Sequence, residues 1–114
     1  MQNDNFYKAK QYLSRLRKWA YEIEPVSDTH IRITVKNRYA TKSFEAVYED
    51  FDSEYHAFAN NLRPRSTEYH YWLSFWQTDV GMGDGSLGEV HEEKWFETEE
   101  NLIQRMKQLI SYYV

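Results

Sequence analysis

The stretch that decides the fold is residues 69–76, which read YHYWLSFW. Five of these eight residues are aromatic. Successive side chains of a strand point to opposite faces. One face would carry Tyr69, Tyr71, Leu73 and Phe75, and the other would carry His70, Trp72, Ser74 and Trp76. We therefore predict a strand over residues 67–80, with its first face in the core.

Weaker alternation on both sides of this stretch predicts the other strands. In residues 30–36, Ile31, Ile33 and Val35 alternate with polar residues, which is typical of a half-buried strand. The remaining predicted strands cover residues 21–26, 42–49 and 89–96. Short connections between these segments favour antiparallel hairpins.

Three segments have the apolar spacing of amphipathic helices. The first covers residues 4–20, and a short one covers residues 53–62. The last begins after Thr98, a capping residue followed by Glu99 and Glu100 in the first turn. The order α-β-β-β-α-β-β-α predicts an α+β fold: an antiparallel sheet of about five strands with the N- and C-terminal helices packed on one face.

Size and composition narrow the class of protein. With 114 residues we expect a single domain, 1–114. The chain has no cysteine, which excludes disulfides and zinc–thiolate sites and favours a cytoplasmic protein. No apolar run approaches the roughly 20 residues of a membrane span. The net charge of −4 argues against nucleic-acid binding.

The sequence has few motifs that indicate chemistry. Residues 83–88 match a glycine-rich nucleotide-binding pattern, but a strand rather than a helix is predicted after them. His70, His91 and Glu93 would form a small-ligand or enzymatic site in an aromatic cleft if the last hairpin brought them together. No catalytic serine motif or metal-ligand spacing occurs, so we expect neither a cofactor nor a metal.

Two surfaces are candidates for a partner. Acidic residues gather around the last predicted hairpin: Asp84, Glu89, Glu92 and Glu93. Trp72 and Trp76 would lie on the sheet face away from the terminal helices, with Phe96 nearby. This aromatic patch is either an exposed contact site or covered by the helix at 53–62, by a second copy in a homodimer, or by a partner.

These features favour a non-catalytic intracellular interaction protein. The acidic hairpin would attract a basic protein partner, and the aromatic patch would hold it. A small inhibitor of the immunity-protein or antitoxin type is one protein of this kind. The alternative is the ligand-binding or enzymatic domain with His70, His91 and Glu93.

Overall fold

A computed structural model describes residues 5–49, 70–81 and 83–112 of the chain. These residues form helices and strands in the order α-β-β-β-β-β-α. The elements are α1 (Tyr7–Ser14), β1 (Ala20–Ser27), β2 (His30–Lys36), β3 (Thr41–Tyr48), β4 (Tyr71–Gly81), β5 (Leu87–Phe96) and α2 (Glu99–Ser111).

The five strands form one antiparallel sheet in which every strand pairs with its neighbour in sequence, in the order β1-β2-β3-β4-β5. Both helices pack on the same face of this sheet. The predicted α+β architecture is confirmed. The helix predicted at 53–62 and the first residues of the predicted strand at 67–80 lie outside the described residues.

The first helix is shorter than its apolar pattern predicts. It ends at Ser14, whereas the prediction extended to residue 20. Leu16 and Trp19 still pack against the core, but they do so from a connecting turn. Lys18 has a positive φ of 69°, which no α-helix accommodates, and Ala20 already pairs with Lys36 in the sheet. Leu16 and Trp19 thus have the spacing of helical core residues and reach the core, although the segment after Ser14 is not helical.

The strand predictions are closer to the structure. The bounds of β2 are as predicted, and β1 and β3 differ from prediction by one residue at each end. Strand β5 begins at Leu87, two residues before the prediction, so the glycine-rich hairpin connection is shorter. Gly83 and Gly85 have φ of 85° and 89° in that turn, a conformation that glycine adopts without strain.

The core lies between the helices and one face of the sheet. It is built from alternate strand residues and from one side of each helix. Its members include Phe6, Ala9 and Leu13 before or in α1, Ile33, Phe44, Leu73 and Phe75 in the strands, and Leu102, Met106 and Leu109 in α2. The predicted core face of β4 is confirmed for Tyr71, Leu73 and Phe75.

Strand β1 is an edge of the sheet and is almost wholly exposed. Exposed edges invite pairing with other chains, and proteins discourage it with charged residues and proline. Strand β1 carries Glu22, Glu24 and Pro25, and proline cannot donate to a β ladder. The composition of this edge therefore opposes addition of a further strand.

A lysine is fully buried where the sheet meets the end of α2. Lys42 is 0% exposed, and its Nζ donates to Gln77 Oε1 at 2.7 Å and to the Leu109 carbonyl at 2.9 Å. It also donates to the carbonyl of Tyr112. The last carbonyls of a helix have no partner within the helix. Lys42 therefore caps α2 from the sheet.

Helix α1 is capped from outside as well. Its N-cap residue, Phe6, makes no side-chain capping bond. Instead the backbone N–H of Ala9 donates to Glu99 Oε2 at 2.8 Å. Glu99 is buried, and this burial raises the pKa of its carboxyl group. The carboxylate at the start of α2 thus satisfies a free N–H at the start of α1 and joins the helices.

Replacing Glu99 by alanine is expected to lower the free energy of unfolding by about 1–2 kcal/mol, because a helix N-terminus loses its cap in a buried setting. Urea denaturation followed by circular dichroism measures this. The matched control is Glu100→Ala, which removes the neighbouring carboxylate that pairs with Lys8 in solvent. Equal losses in both variants would show that capping contributes nothing beyond surface charge.

Candidate functional site

The sheet face away from the helices is called here the open face. Its residues line up across the strands in three rows set by the strand register. The Trp76 row is Glu22, Thr34, Ser43, Trp76 and His91. The Ser74 row is Glu24, Arg32, Glu45, Ser74 and Glu93. The Trp72 row is His30, Val47, Trp72 and Trp95.

The Trp76 row holds the most exposed tryptophan of the sheet. Trp76 is 54% exposed, although β4 has a strand on either side. It lies opposite Ser43 on β3 and opposite His91 on β5. A depression of about 400 Å³ opens beside it and extends across the Ser74 row to β1. Trp76 is therefore an exposed apolar side chain beside a concavity whose other lining residues are mostly polar or charged.

The Ser74 row carries most of the charge in this depression. Arg32 Nε donates to Glu45 Oε1 at 2.8 Å, and this hydrogen bond raises the pKa of the arginine. Glu45 Oε1 also lies 3.7 Å from His30 Nε2. On the other side of Ser74 is Glu93, which lies beside the depression and does not line it. The centre of the row is thus a serine with a glutamate on each neighbouring strand.

The charge of the open face is predominantly negative. Its described residues include five glutamates, Glu22, Glu24, Glu45, Glu89 and Glu93, the fourth placed there by alternation along β5. Two basic residues, Arg32 and Lys36, share the face. Acidic residues around an apolar ring are the arrangement expected of a surface that attracts cations.

The Trp72 row differs in exposure. Trp72 is 4% exposed, and Val47 beside it is also buried. Trp72 and Trp76 do lie on the face away from the terminal helices, as predicted, but only Trp76 is open to solvent. The aromatic partner of Trp72 on β5 is Trp95.

Phe96 is not part of this aromatic group. It pairs with Tyr71, points to the helix-covered face and is 8% exposed. The expectation that Phe96 lies near the two tryptophans is corrected, because the β4–β5 register places its neighbour Trp95 there instead. A shift of one residue in register exchanges the two faces of a strand.

The acidic residues predicted on the last hairpin are divided among three places. Glu89 and Glu93 are on the open face. Glu92 lies on the opposite face, where its carboxylate binds Arg105 of α2 through both oxygens and has a lowered pKa as a result. Asp84 is in the hairpin turn and accepts from the Ser86 N–H at 2.9 Å. Glu92 and Asp84 therefore stabilise the fold locally.

The structure does not bring the predicted trio of His70, His91 and Glu93 together. His91 Nε2 lies 3.3 Å from Glu93 Oε1. His70 is stacked on Tyr48, and its Nδ1 contacts the Glu49 carbonyl at 2.8 Å. His91 pairs with Trp76, six positions along β4 from residue 70, so roughly 20 Å of strand separates the two histidines.

Ser74, His91 and Glu93 are neighbours, but they do not form a catalytic relay. His91 Nε2 contacts both Ser74 Oγ at 3.5 Å and Glu93 Oε1 at 3.3 Å. A nucleophile–base–acid triad uses one ring nitrogen for the hydroxyl and the other for the carboxylate. Here one nitrogen lies near both neighbours, so the arrangement is not that of a triad.

Sequence reasoning did not identify the glutamates of β1 and β3 as part of the site. Glu22 and Glu24 alternate with Ile23, and Glu45 alternates with Phe44 and Ala46. That alternation placed each of them opposite the core. Only the register shows that they lie in line with Trp76 and Ser74.

Within residues 5–49, 70–81 and 83–112, no group of three or more His, Asp or Glu residues is arranged to hold a metal ion. Neither of the helices described there is long and apolar enough to cross a membrane. Comparison of the chain with protein-family models, curated proteins and solved structures gives no match. The open face itself is therefore the basis for a functional argument.

Proposed function

We propose that the protein is a non-catalytic binding protein whose open face takes up a basic surface of a partner protein. The observation that carries this proposal is the position of Trp76, half exposed at the centre of a sheet face that holds five glutamates. Exposed aromatic residues with charge around them are enriched at protein contacts. Long-range attraction would speed association, and the aromatic ring would slow dissociation.

The charge of the face favours a different protein over a second copy. A homodimer formed face to face would bring Glu22, Glu24, Glu45 and their equivalents together, and opposed like charges are unfavourable. A lysine- or arginine-bearing partner has the complementary charge. An inhibitor of a basic enzyme, of the immunity or antitoxin type, is one role that such a face would serve. A toxin gene beside this one would support that role.

A blocked lysine-rich peptide is expected to bind the protein, and the double variant Glu22→Gln/Glu24→Gln is expected to bind it about fivefold more weakly, because each exposed charge contributes up to about 1 kcal/mol. Isothermal titration calorimetry at low salt measures this. The control is Glu97→Gln/Glu100→Gln, which removes the same charge from exposed positions outside the open face. Equal weakening of peptide binding in both double variants would mean that net charge alone explains the effect, and this would contradict the proposal.

Arg32→Ala is the complementary arm of this experiment. Arg32 is exposed and neutralises Glu45 within the depression. Its removal leaves the face more negative, so the peptide is expected to bind a few-fold more tightly. A glutamate-rich peptide is expected not to bind any of these proteins. Weaker binding of the lysine-rich peptide to Arg32→Ala would count against an electrostatic role for this face.

A further inference from the structure

Positive charge is concentrated where α1 leads into β1 and where β2 turns into β3. Residues 8–21 and 34–44 contain no aspartate or glutamate. The two segments meet in the structure, because Ala20 at the start of β1 pairs with Lys36 at the end of β2. Six exposed cations lie on them and on the adjoining side of α2, and they are called here the basic surface: Arg15, Arg17, Lys18, Lys36, Arg38 and Lys107.

The charges of the basic surface are not neutralised by nearby carboxylates. Among residues 5–49, 70–81 and 83–112, none of its six cations forms an ion pair, whereas Lys8 of α1 pairs with Glu100. Lys107 lies over an aromatic ring instead, with its Nζ 5.3 Å from the Tyr12 ring centroid. The open face has the opposite charge, so the net charge of −4 averages two unlike surfaces. Salt limits each field to about 10 Å, so a ligand at the basic surface meets mainly positive charge.

A groove between α1 and α2 opens onto the basic surface. Its cavity has a volume of about 400 Å³. The ion pair of Lys8 and Glu100 lies at the end where both helices begin. Arg15, which follows the last residue of α1, and Lys107 also line the groove, and the half-buried Tyr12 is recessed between the helices. The unpaired positive charge therefore borders a recess that admits a narrow chain.

We propose that the basic surface binds single-stranded nucleic acid, with phosphates on its cations and a base on the ring of Tyr39. Tyr39 is 75% exposed although Arg38 lies 5.4 Å from its ring centroid, so one face of the ring is open to a base. The Asn37 side chain accepts hydrogen bonds from the N–H groups of Tyr39 and Ala40 at 2.8 and 2.9 Å, which orders this turn. The site is separate from the depression beside Trp76 and does not depend on the function proposed for the open face.

Other anions fit these features less well. An anionic membrane presents a broad surface that touches exposed side chains but does not enter the groove beside Tyr12. An acidic peptide offers charge to the cations but no base to stack on Tyr39. In a duplex the bases are already stacked on one another, whereas a single strand presents both its phosphates and the faces of its bases. A basic groove with aromatic rings is the arrangement typical of single-strand binding.

Fluorescence anisotropy with a labelled oligothymidine strand of about 12 nucleotides tests this inference. The strand is expected to bind, and its affinity is expected to fall about 15- to 60-fold between about 50 and about 200 mM salt, as about three to four phosphate contacts imply. The duplex of this strand with oligoadenosine is expected to bind much more weakly. Vesicles of phosphatidylcholine and phosphatidylserine are expected not to compete with the strand. Equal affinity for strand and duplex, or displacement of the strand by the vesicles, would overturn the inference.

Variants with intact circular dichroism spectra locate the site. Lys107→Gln is expected to weaken binding of the strand a few-fold and to flatten the salt dependence by about 0.7 in slope, the share of one phosphate. The matched control is Lys94→Gln, which also removes an exposed lysine from an aromatic ring, that of Phe96 at 5.7 Å, but outside the basic surface. Tyr39→Ala is expected to weaken binding at least about fivefold, and Tyr39→Phe to retain it. Equal effects of the two lysine variants, or no binding of the strand, would refute the inference and leave the proposed function of the open face unaffected.

Discussion

Raising the pH from about 7 to about 10 is expected to increase the free energy of unfolding by about 2–3 kcal/mol through Lys42 alone. Burial lowers the pKa of this amine from its ordinary value of 10.5 to about 8 in the folded protein. Between these two values the unfolded chain binds more protons than the folded chain. Stability linked to Lys42 is therefore fully present above 10.5 and is lost as the pH falls through 8.

The surroundings of Lys42 account for the direction of this shift in pKa. The acceptors around Lys42 Nζ are the side-chain oxygen of Gln77 and the carbonyls of Leu109 and Tyr112, all of them uncharged. The ammonium form has an N–H donor for each of these three acceptors, but burial removes its hydration, and this loss lowers the pKa of the lysine.

Lys42→Met is the control for this pH dependence, because it keeps much of the side-chain volume and removes the titrating group. Burial also raises the pKa of Tyr12 and Tyr71, so ionisation of these phenols lowers stability above about pH 10 in both proteins. The difference between wild type and Lys42→Met in urea denaturation therefore isolates the lysine. Parallel pH profiles for the two proteins would contradict the assignment.

Phe75→Ala is expected to lower the free energy of unfolding by about 3–5 kcal/mol, as is usual when a buried phenylalanine leaves a cavity. Phe75 is 0% exposed on β4. Its ring centroid lies 5.0 Å from that of Phe44 on the adjacent strand. Loss of the ring removes contacts with both the sheet and the buried lysine, whose Nζ is 5.7 Å from the Phe75 ring centroid.

The neighbouring residue provides a matched comparison. Trp76→Ala removes a larger aromatic side chain one position further along β4, but from the open face, and is expected to cost much less than Phe75→Ala. Chemical denaturation of both variants under one condition measures the difference. A Trp76→Ala variant as unstable as Phe75→Ala would mean that the open face is covered, which would also remove the basis of the proposed binding site.

Much of the fold follows from local signals in the sequence. Alternation of Ile31, Ile33 and Val35 predicted the bounds of β2, and the capping residue Thr98 predicted the start of α2. The end of α1 could not be predicted from local signals, because the pairing of Ala20 with Lys36 depends on a segment sixteen residues away. Tertiary pairing overrode a helical pattern there.

The candidate site was predicted only in part. Alternation along β4 alone was enough to place Trp76 on the face away from the helices, because successive residues of a strand point to opposite faces. The side of Phe96 depends on how β4 and β5 align, which single-strand patterns do not contain. The burial of Lys42 could not be predicted, because lysine is almost never fully buried and the partners of Lys42 come from distant elements.

The carboxylate that joins the helices has a consequence for the order in which the chain folds. Each strand pairs with the next one along the chain, and such local contacts form early. Helix α1 has eight residues, too few to persist alone in water, and its capping acceptor, Glu99, lies ninety residues further on. The segment synthesised first among these elements therefore becomes stable only after the last one is in place, and its amide hydrogens should be among the latest to gain protection from exchange during refolding.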